Sequence, residues 1–492
     1  MFKPRPYQTD RINNALNQIK KVNKHMIVAP TGAGKTVIAT YIIKNLIDNG
    51  KRLMFAVANT ELVMQSYNTF SQNFIQCGVI KAGLEKYQNH HAPCQIVMMQ
   101  SYSARKEKLP DLAPDIIIVD EVDFGYKGDR LKSLLEQYPN IKMIGLTATP
   151  IDDKGNLLKG FDSIDDELTP LLLIQQGFLS RERYIQPTQF DLSNVKINKM
   201  GEFVESELDE ACNKDYIIAD VVSSYKKMYE GNKFICFANS INHAELLQAD
   251  FLKQGLNTMI IHSKMKKSDI KSTYKHHQNG YIKGLINVGM VTRGYDDVDV
   301  IDIVNCRATM SEALYRQMIG RAARLDKKGL HYFRHFDYAG NAERFGYWSS
   351  PRKYSEKLDR EKEVDPIICP NCKEIIFEKV KFCPYCHYEL IAEIKKQDAK
   401  RKEIEEKNKV TQVVEIEIKM GLEPVINILN NFGDGTTFYY NKLFKYKPAS
   451  SKCPESFYNE IKLLAKKVIR QGYKPDYIVF KIKEKFACPL GR

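Results

Sequence analysis

The densest chemistry in the sequence lies in the run APTGAGKT, Ala29 to Thr36. It follows an apolar stretch, MIVA, and opens an apolar-periodic one, KTVIATYIIKNLI, so it reads as a loop between a strand and a helix. Gly32 and Gly34 let backbone N–H groups wrap a phosphate, and the helix N-terminus adds a favourable dipole. Lys35 is then placed for the outer phosphates and the Thr36 hydroxyl for Mg²⁺. The pattern G-x-x-x-x-G-K-[ST] is met everywhere except its first position, Ala29. About 85 residues later DIIIVDEVD ends an apolar strand in two adjacent carboxylates, Asp120 and Glu121. One suits a metal ion and the other an attacking water. In YRQMIGRAAR, Gln317, Arg321 and Arg324 are spaced i, i+4 and i+7, which puts them on one face if the segment is helical. Two guanidiniums there can neutralise charge on a transferred phosphoryl group. On spacing alone a solvated basic helix is the simpler reading.

A separate cluster, CPNC-x10-CPYC, brings Cys369, Cys372, Cys383 and Cys386 into two C-x-x-C turns. That spacing suits tetrahedral Zn²⁺–thiolate coordination in a zinc ribbon, with a redox dithiol as the alternative. His387 follows directly, either as a substitute ligand or as an exposed neighbour. The other seven cysteines are scattered singly, which fits a reducing compartment better than a disulfide framework.

These groups need a scaffold. KHMIVAP, RLMFAVA, CQIVMMQ, DIIIVDE and KMIGLTA each read as a buried strand, and polar or amphipathic sequence follows each one. The rhythm breaks over 151–215 and returns at KFICFAN, TMIIHS, GLINVGM and DVIDIVN. The expected fold class is therefore α/β with two tandem parallel-sheet domains. With 43% hydrophobic and 27% charged residues, the composition is that of a globular chain and excludes a disordered one. No apolar run approaches the ~20 residues of a membrane span, and the polar start MFKPRPYQTDR holds no signal core. The formal charge of +14 favours a polyanionic partner such as nucleic acid, or simply solubility. Asn441 to Arg492 holds 13 basic and 4 acidic residues.

Taken together, the motifs resemble those of superfamily 2 helicases and translocases. The subgroup is that of phage branch-migrating helicases, the strand-opening helicase of transcription factor IIH and type III restriction motors. The resemblance covers roughly residues 3–345. RPYQ resembles the adenine-reading element and makes Gln8 the base reader. APTGAGKT, DEVD and LTATP resemble motifs I, II and III. VANTELVMQ resembles motif Ia, with Thr60 where a basic residue is usual, and CFANSINHA resembles motif IV. NVGMVTRGYDDVDV resembles motif V, with Gly294 and Asp296 facing the nucleotide and Asn287 where Thr is frequent. YRQMIGRAAR resembles motif VI. HFDYAGNAERFGYW resembles the segment joining motif VI to a zinc ribbon in phage and bacterial members, and GYKPDYIVFKIKEKF resembles their closing element.

The resemblance implies RecA-like domain 1 at 1–165, a connector at 166–215 and RecA-like domain 2 at 216–345. A linker and zinc ribbon at 346–390 and a basic, α-rich nucleic-acid-binding region at 391–492 complete the chain. It implies an ATP hydrolase using ATP and Mg²⁺, with Zn²⁺ in the ribbon, that unwinds or remodels forked, branched or duplex DNA. An RNA helicase and a non-unwinding duplex translocase are the alternatives. It also implies a monomeric motor of the cytoplasm (the host's, if viral), with replication or recombination proteins as partners.

Overall fold

The computed structural model describes residues 3–397 and 399, apart from 59, 105–111, 126–129, 153–155, 199–200, 291–294, 296, 326–328, 330, 353, 355–365 and 378–379. The chain divides into two compact units, 1–378 and 379–492, and all the strands named below belong to the first. The basic region inferred from the tail lies outside the described residues, except for its first few positions.

The first sheet is built from β1 (Lys24–Val28), β2 (Leu53–Val57), β3 (Cys77–Ile80), β4 (Cys94–Met98), β5 (Ile116–Asp120), β6 (Lys142–Thr147) and β7 (Ser163–Asp165). Its order is β3-β4-β2-β5-β6-β1-β7, and every pairing is parallel. The second sheet is built from β8 (Arg181–Ile185), β9 (Lys233–Phe237), β10 (Thr258–His262), β11 (Gly284–Val288), β12 (Val300–Asn305) and β13 (Tyr332–Asp337). Its order is β10-β11-β9-β12-β13-β8, again parallel throughout. These are the two parallel-sheet α/β domains the alternating sequence announces, and they fit tandem RecA-like lobes.

Strand side chains alternate between faces, and both faces are buried. In the first sheet Ile27, Phe55, Ile116 and Ile118 pack one way, against Ile12, Ile38, Ile42 and Phe70 of three helices. Met26, Val28, Ile117 and Val119 pack the other way, with Leu131 and Leu134. Each such apolar side chain contributes roughly 1.5–3 kcal/mol on burial, so the strand ends are held by a stiff base.

Four strands lack the long apolar run that marks the others. β3 and β7 are short edge strands. β8 (RERYI) and β13 (YFRHFD) carry charges that the structure buries in pairs. Arg334 Nη2 meets Asp302 at 2.6 Å, and His335 Nδ1 meets Glu182 at 2.8 Å, with Glu182 and His335 both buried. β8 lies within the stretch where the strand rhythm breaks, yet it forms the edge of the second sheet. Breaking one partner of such a pair typically costs ~3–5 kcal/mol, because the other charge is left buried.

His243 sits fully buried at the start of the helix Ile241–Lys253, where its Nδ1 lies 3.1 Å from Asn239 Nδ2. Burial pushes its pKa down from 6.5 to about 4. The folded chain thus holds it neutral at pH values where the unfolded chain takes up a proton. Its contribution to stability is intact above about 6.5 and is lost as pH falls towards about 4, by at most ~1.4 kcal/mol per pH unit. Urea unfolding of the wild type should therefore show a lower midpoint at pH 5 than at pH 7, and His243→Gln should shrink that difference. An unchanged difference in the variant would show that this imidazole does not carry the effect.

Candidate active site between the two sheets

The chain leaves β1 at Val28, turns through Ala29–Gly34 and enters the helix Lys35–Asp48. Gly32 and Gly34 have φ of +90° and +79°, the left-handed region that favours glycine. Space at both positions is tight as well. A Cβ on Gly32 would lie 3.0 Å from Leu179 and 3.1 Å from Arg324 Cγ, and one on Gly34 would lie 2.5 Å from Gln8 Nε2. Ala29 is fully buried, in the apolar cluster that includes Ala322 and Ala323, so its methyl group is accommodated at the pattern's first position.

β5 ends in Asp120, which is buried. Glu121 follows at φ +50°, and its amide donates to Asp120 Oδ1 at 3.1 Å. A non-glycine residue in that region costs of order 1–2 kcal/mol, borne here at the strand end where the carboxylates are aimed. The Thr147 hydroxyl lies 2.8 Å from Asp123 Oδ1, which ties the end of β6 to the acidic turn. Burial, reinforced by the neighbouring Glu121, pushes the Asp120 pKa up to about 7, while Lys35 pulls the other way. Burial lowers the Lys35 pKa against the pull of Asp120, Glu121 and Asp123. Its ammonium donates to the Ala29 carbonyl at 3.3 Å.

The expected one-faced helix does not extend through the arginines. The helix Glu312–Ile319 contains Gln317 and stops before Arg321. Gly320 to Ala323 continue in tighter turns, with Arg321 N bonding Met318 O at 3.3 Å and Ala323 N bonding Gly320 O at 3.4 Å. Contact is the physical reason. A Cβ on Gly320 would lie 2.6 Å from Thr31 Cβ, so the chain bends where it meets the glycine loop. Arg321 Nη1 donates to the Tyr295 carbonyl at 2.9 Å. Arg324 forms a β-bridge with Leu179, and its carbonyl accepts the Ser180 hydroxyl at 2.9 Å.

The result is one cleft of about 200 Å³, lined by Gly32, Gly34, Lys35, Thr36, Asp120, Glu121, Gln317, Arg321 and Arg324. It also takes in Gln65, Asp123 and Tyr295, which the residue-type reading did not single out. All three fall inside motifs quoted above, so their signal was position in a motif and not chemistry. Gln8 is not among the lining residues. Its Nε2 donates to the Ala33 carbonyl at 3.0 Å and its Oε1 accepts the Arg5 amide at 2.9 Å, so it buttresses the glycine loop from behind. Gly294 and Asp296 lie outside the described residues. A larger groove, about 1160 Å³, lies at the opposite ends of the strands beside Asn45, Asp115 and Asn140. It lacks the phosphate-binding loop, so volume does not decide the site.

The sulfurs of Cys369, Cys372, Cys383 and Cys386 all lie within 4.8 Å of one another. Each turn is built alike. The amide four residues on bonds the first cysteine's carbonyl, Lys373 to Cys369 and His387 to Cys383, both at 2.9 Å. Lys373 and His387 both sit at positive φ. His387 is therefore a turn residue, exposed and outside the sulfur group. Four thiols at this separation are compatible with zinc.

Residues 1–152 match the family profile described as type III restriction enzyme, res subunit, and residues 214–326 match the helicase conserved C-terminal domain. A 51.5 kDa protein of a Lactococcus phage is 27% identical over 408 residues, 80% of this chain and 85% of that one. A protein named as a candidate ATP-dependent helicase of Saccharomyces cerevisiae is 27% identical over 341 residues, 65% of this chain and 49% of its own. Among solved structures, a fragment of a type I restriction enzyme HsdR subunit from Vibrio vulnificus shares the fold. Its TM-score is 0.56 at 20% identity, covering 73% of this chain and 68% of that one. The chain belongs to the superfamily 2 helicases, of the type III restriction motor kind.

In an ATP-hydrolysing helicase of this kind the cleft has the parts the reaction needs: a phosphate-wrapping loop, carboxylates and cationic side chains from the second lobe. Their approach depends on Gly320 lacking a side chain. Gly320→Ala should lower kcat/KM for ATP at least about tenfold while leaving the urea midpoint close to wild type. Wild-type turnover would show that this contact is not needed for the active arrangement.

Proposed function

We propose that the protein is an ATP-dependent DNA helicase or translocase, acting as a monomeric motor on forked, branched or duplex DNA. The observation that carries this reading is the convergence of Lys35, Thr36, Asp120 and Glu121 with Arg321 and Arg324 around one cleft. In this reading Lys35 grips the outer phosphates of ATP, and Glu121 orients the attacking water. Arg321 and Arg324 neutralise charge developing on the transferred phosphoryl group. Thr36 and Asp120 hold Mg²⁺, which supplies Lewis-acid stabilisation of the phosphate oxygens when bound. Because the two groups come from different sheets, hydrolysis and release alter what holds the lobes together. A strand lying across both advances with each cycle.

Two features favour DNA over RNA, the DEVD and TATP variants and the match to a restriction-enzyme profile, while the net charge of +14 favours a nucleic acid of either kind. Contacts of this kind neutralise the backbone without reading bases. The cysteine group holds Zn²⁺ in a structural role in this reading, since four thiolates leave no open position.

Lys35→Ala and Glu121→Gln should each reduce ATP turnover by at least about 10²-fold, with nucleic-acid affinity by fluorescence anisotropy left within a few-fold. Full ATPase activity in either removes the assignment. ATPase stimulation by single-stranded DNA, duplex, fork, four-way junction and RNA separates the substrates, and selective stimulation by RNA would replace the DNA reading. Metal analysis of protein purified without chelators should find one zinc per chain, and Cys383→Ser should lose it. Zinc-free wild-type protein would rule the metal out.

A further inference from the structure

The sole tryptophan, Trp348, is buried, in the segment that follows the second sheet. It makes a two-way bond with Arg316, on the helix that leads to Arg321. Trp348 Nε1 donates to the Arg316 carbonyl and Arg316 Nη1 donates to the Trp348 carbonyl, both at 3.1 Å. The Arg316 carbonyl also accepts the Gly320 amide at 3.0 Å. The indole therefore caps the last turn of the helix, at the carbonyl from which the chain departs towards Arg321 and Arg324.

The segment is fastened on both sides of this clamp. Ser349 donates from its amide and its hydroxyl to Glu182 Oε2, at 2.9 and 3.0 Å, while the other Glu182 oxygen meets His335. Arg352 pairs with Glu312 at 2.9 Å, and Glu312 also holds Arg316 Nε at 2.7 Å. The Tyr354 amide then bonds Asp166, just past β7, and the Tyr354 side chain packs against the core of the first lobe. A small gap of about 20 Å³ is lined jointly by Pro30 and Thr31 of the glycine loop and by Arg316, Trp348, Arg352 and Tyr354. One strap thus joins the first lobe's core, the glycine loop and the base of the arginine turn.

We propose that Trp348, with Arg316 and Arg352, positions Arg321 and Arg324 for ATP hydrolysis by fixing the end of the preceding helix to a strap anchored on both lobes. These are positioning residues: none of the three lines the cleft, and they adjoin it through Gly320, the arginine turn and the glycine loop. The proposal rests on the reading of the cleft given above, and its test separates the two.

Trp348→Phe keeps the aromatic bulk, which packs edge-on to Phe333 at 5.7 Å, and removes only the donor to Arg316. It should lower kcat about tenfold, with KM and the affinity for a non-hydrolysed Mg-ATP analogue within about twofold. Arg352→Ala, which unfastens the strap farther from the helix, should give the same split and carries the test if Trp348→Phe does not fold. In the wild type, the analogue should shift the Trp348 emission, and that shift should shrink in Arg352→Ala. Wild-type kcat in Trp348→Phe and Arg352→Ala, with Arg321→Ala inactive, overturns the positioning role and leaves the cleft reading in place. Wild-type kcat in Arg321→Ala overturns the cleft reading itself.

Discussion

The active arrangement depends on a contact where side chains are missing. Gly320 faces Thr31 at a distance that a single added carbon would violate, and Gly32 faces Arg324 with little room to spare. Atoms held this close leave no room for solvent between the glycine loop and the base of the arginine turn. The stiffness of both sheets matters for the same reason. A loop that wraps a phosphate and a turn that delivers guanidiniums are useful only if their bases do not drift, and each rests on parallel strands buried on both faces.

That closeness has an electrostatic consequence. Lys35, Asp120, Glu121 and Asp123 line one cleft, where desolvation disfavours the charged form of acid and base alike. The shifts run in opposite directions for that reason, with Lys35 lowered and Asp120 raised. The groups moderate one another without cancelling, which leaves a site where the arrival of a triphosphate and a divalent cation changes the local balance strongly. Glu121, in a left-handed conformation at the end of β5, shows backbone strain accepted at the point where a carboxylate must be aimed.

The second lobe shows how buried charge can serve architecture. Glu182 is held by His335 on one side and by Ser349 on the other, so one carboxylate links β8, β13 and the segment beyond them. Asp302 does similar work between Arg334 and Tyr225. These groups look polar in the sequence and are interior in the fold, which is why β8 and β13 escape any reading that looks for apolar runs. The strands rich in Val and Ile on both faces, such as β5 and β12, announce themselves.

The sequence by itself determined the two-sheet α/β class, the glycine loop with Lys35 and Thr36, the adjacent carboxylates and the paired cysteine turns. Each of these is local, because its chemistry is carried by neighbours along the chain or by a short period. The tertiary structure decided how the distant parts meet. Helical spacing suggested that Gln317, Arg321 and Arg324 share a face. In the fold, contact between Gly320 and Thr31 ends the helix first and brings the arginines to the cleft by a turn. The resemblance makes Gln8 the base reader, and in the fold its amide bonds the Ala33 carbonyl of the loop. Trp348 gave no signal as a sequence feature, because its partners, Arg316 and Phe333, lie 32 and 15 residues away. No local pattern encodes a contact of that range; only the folding of the second lobe creates it.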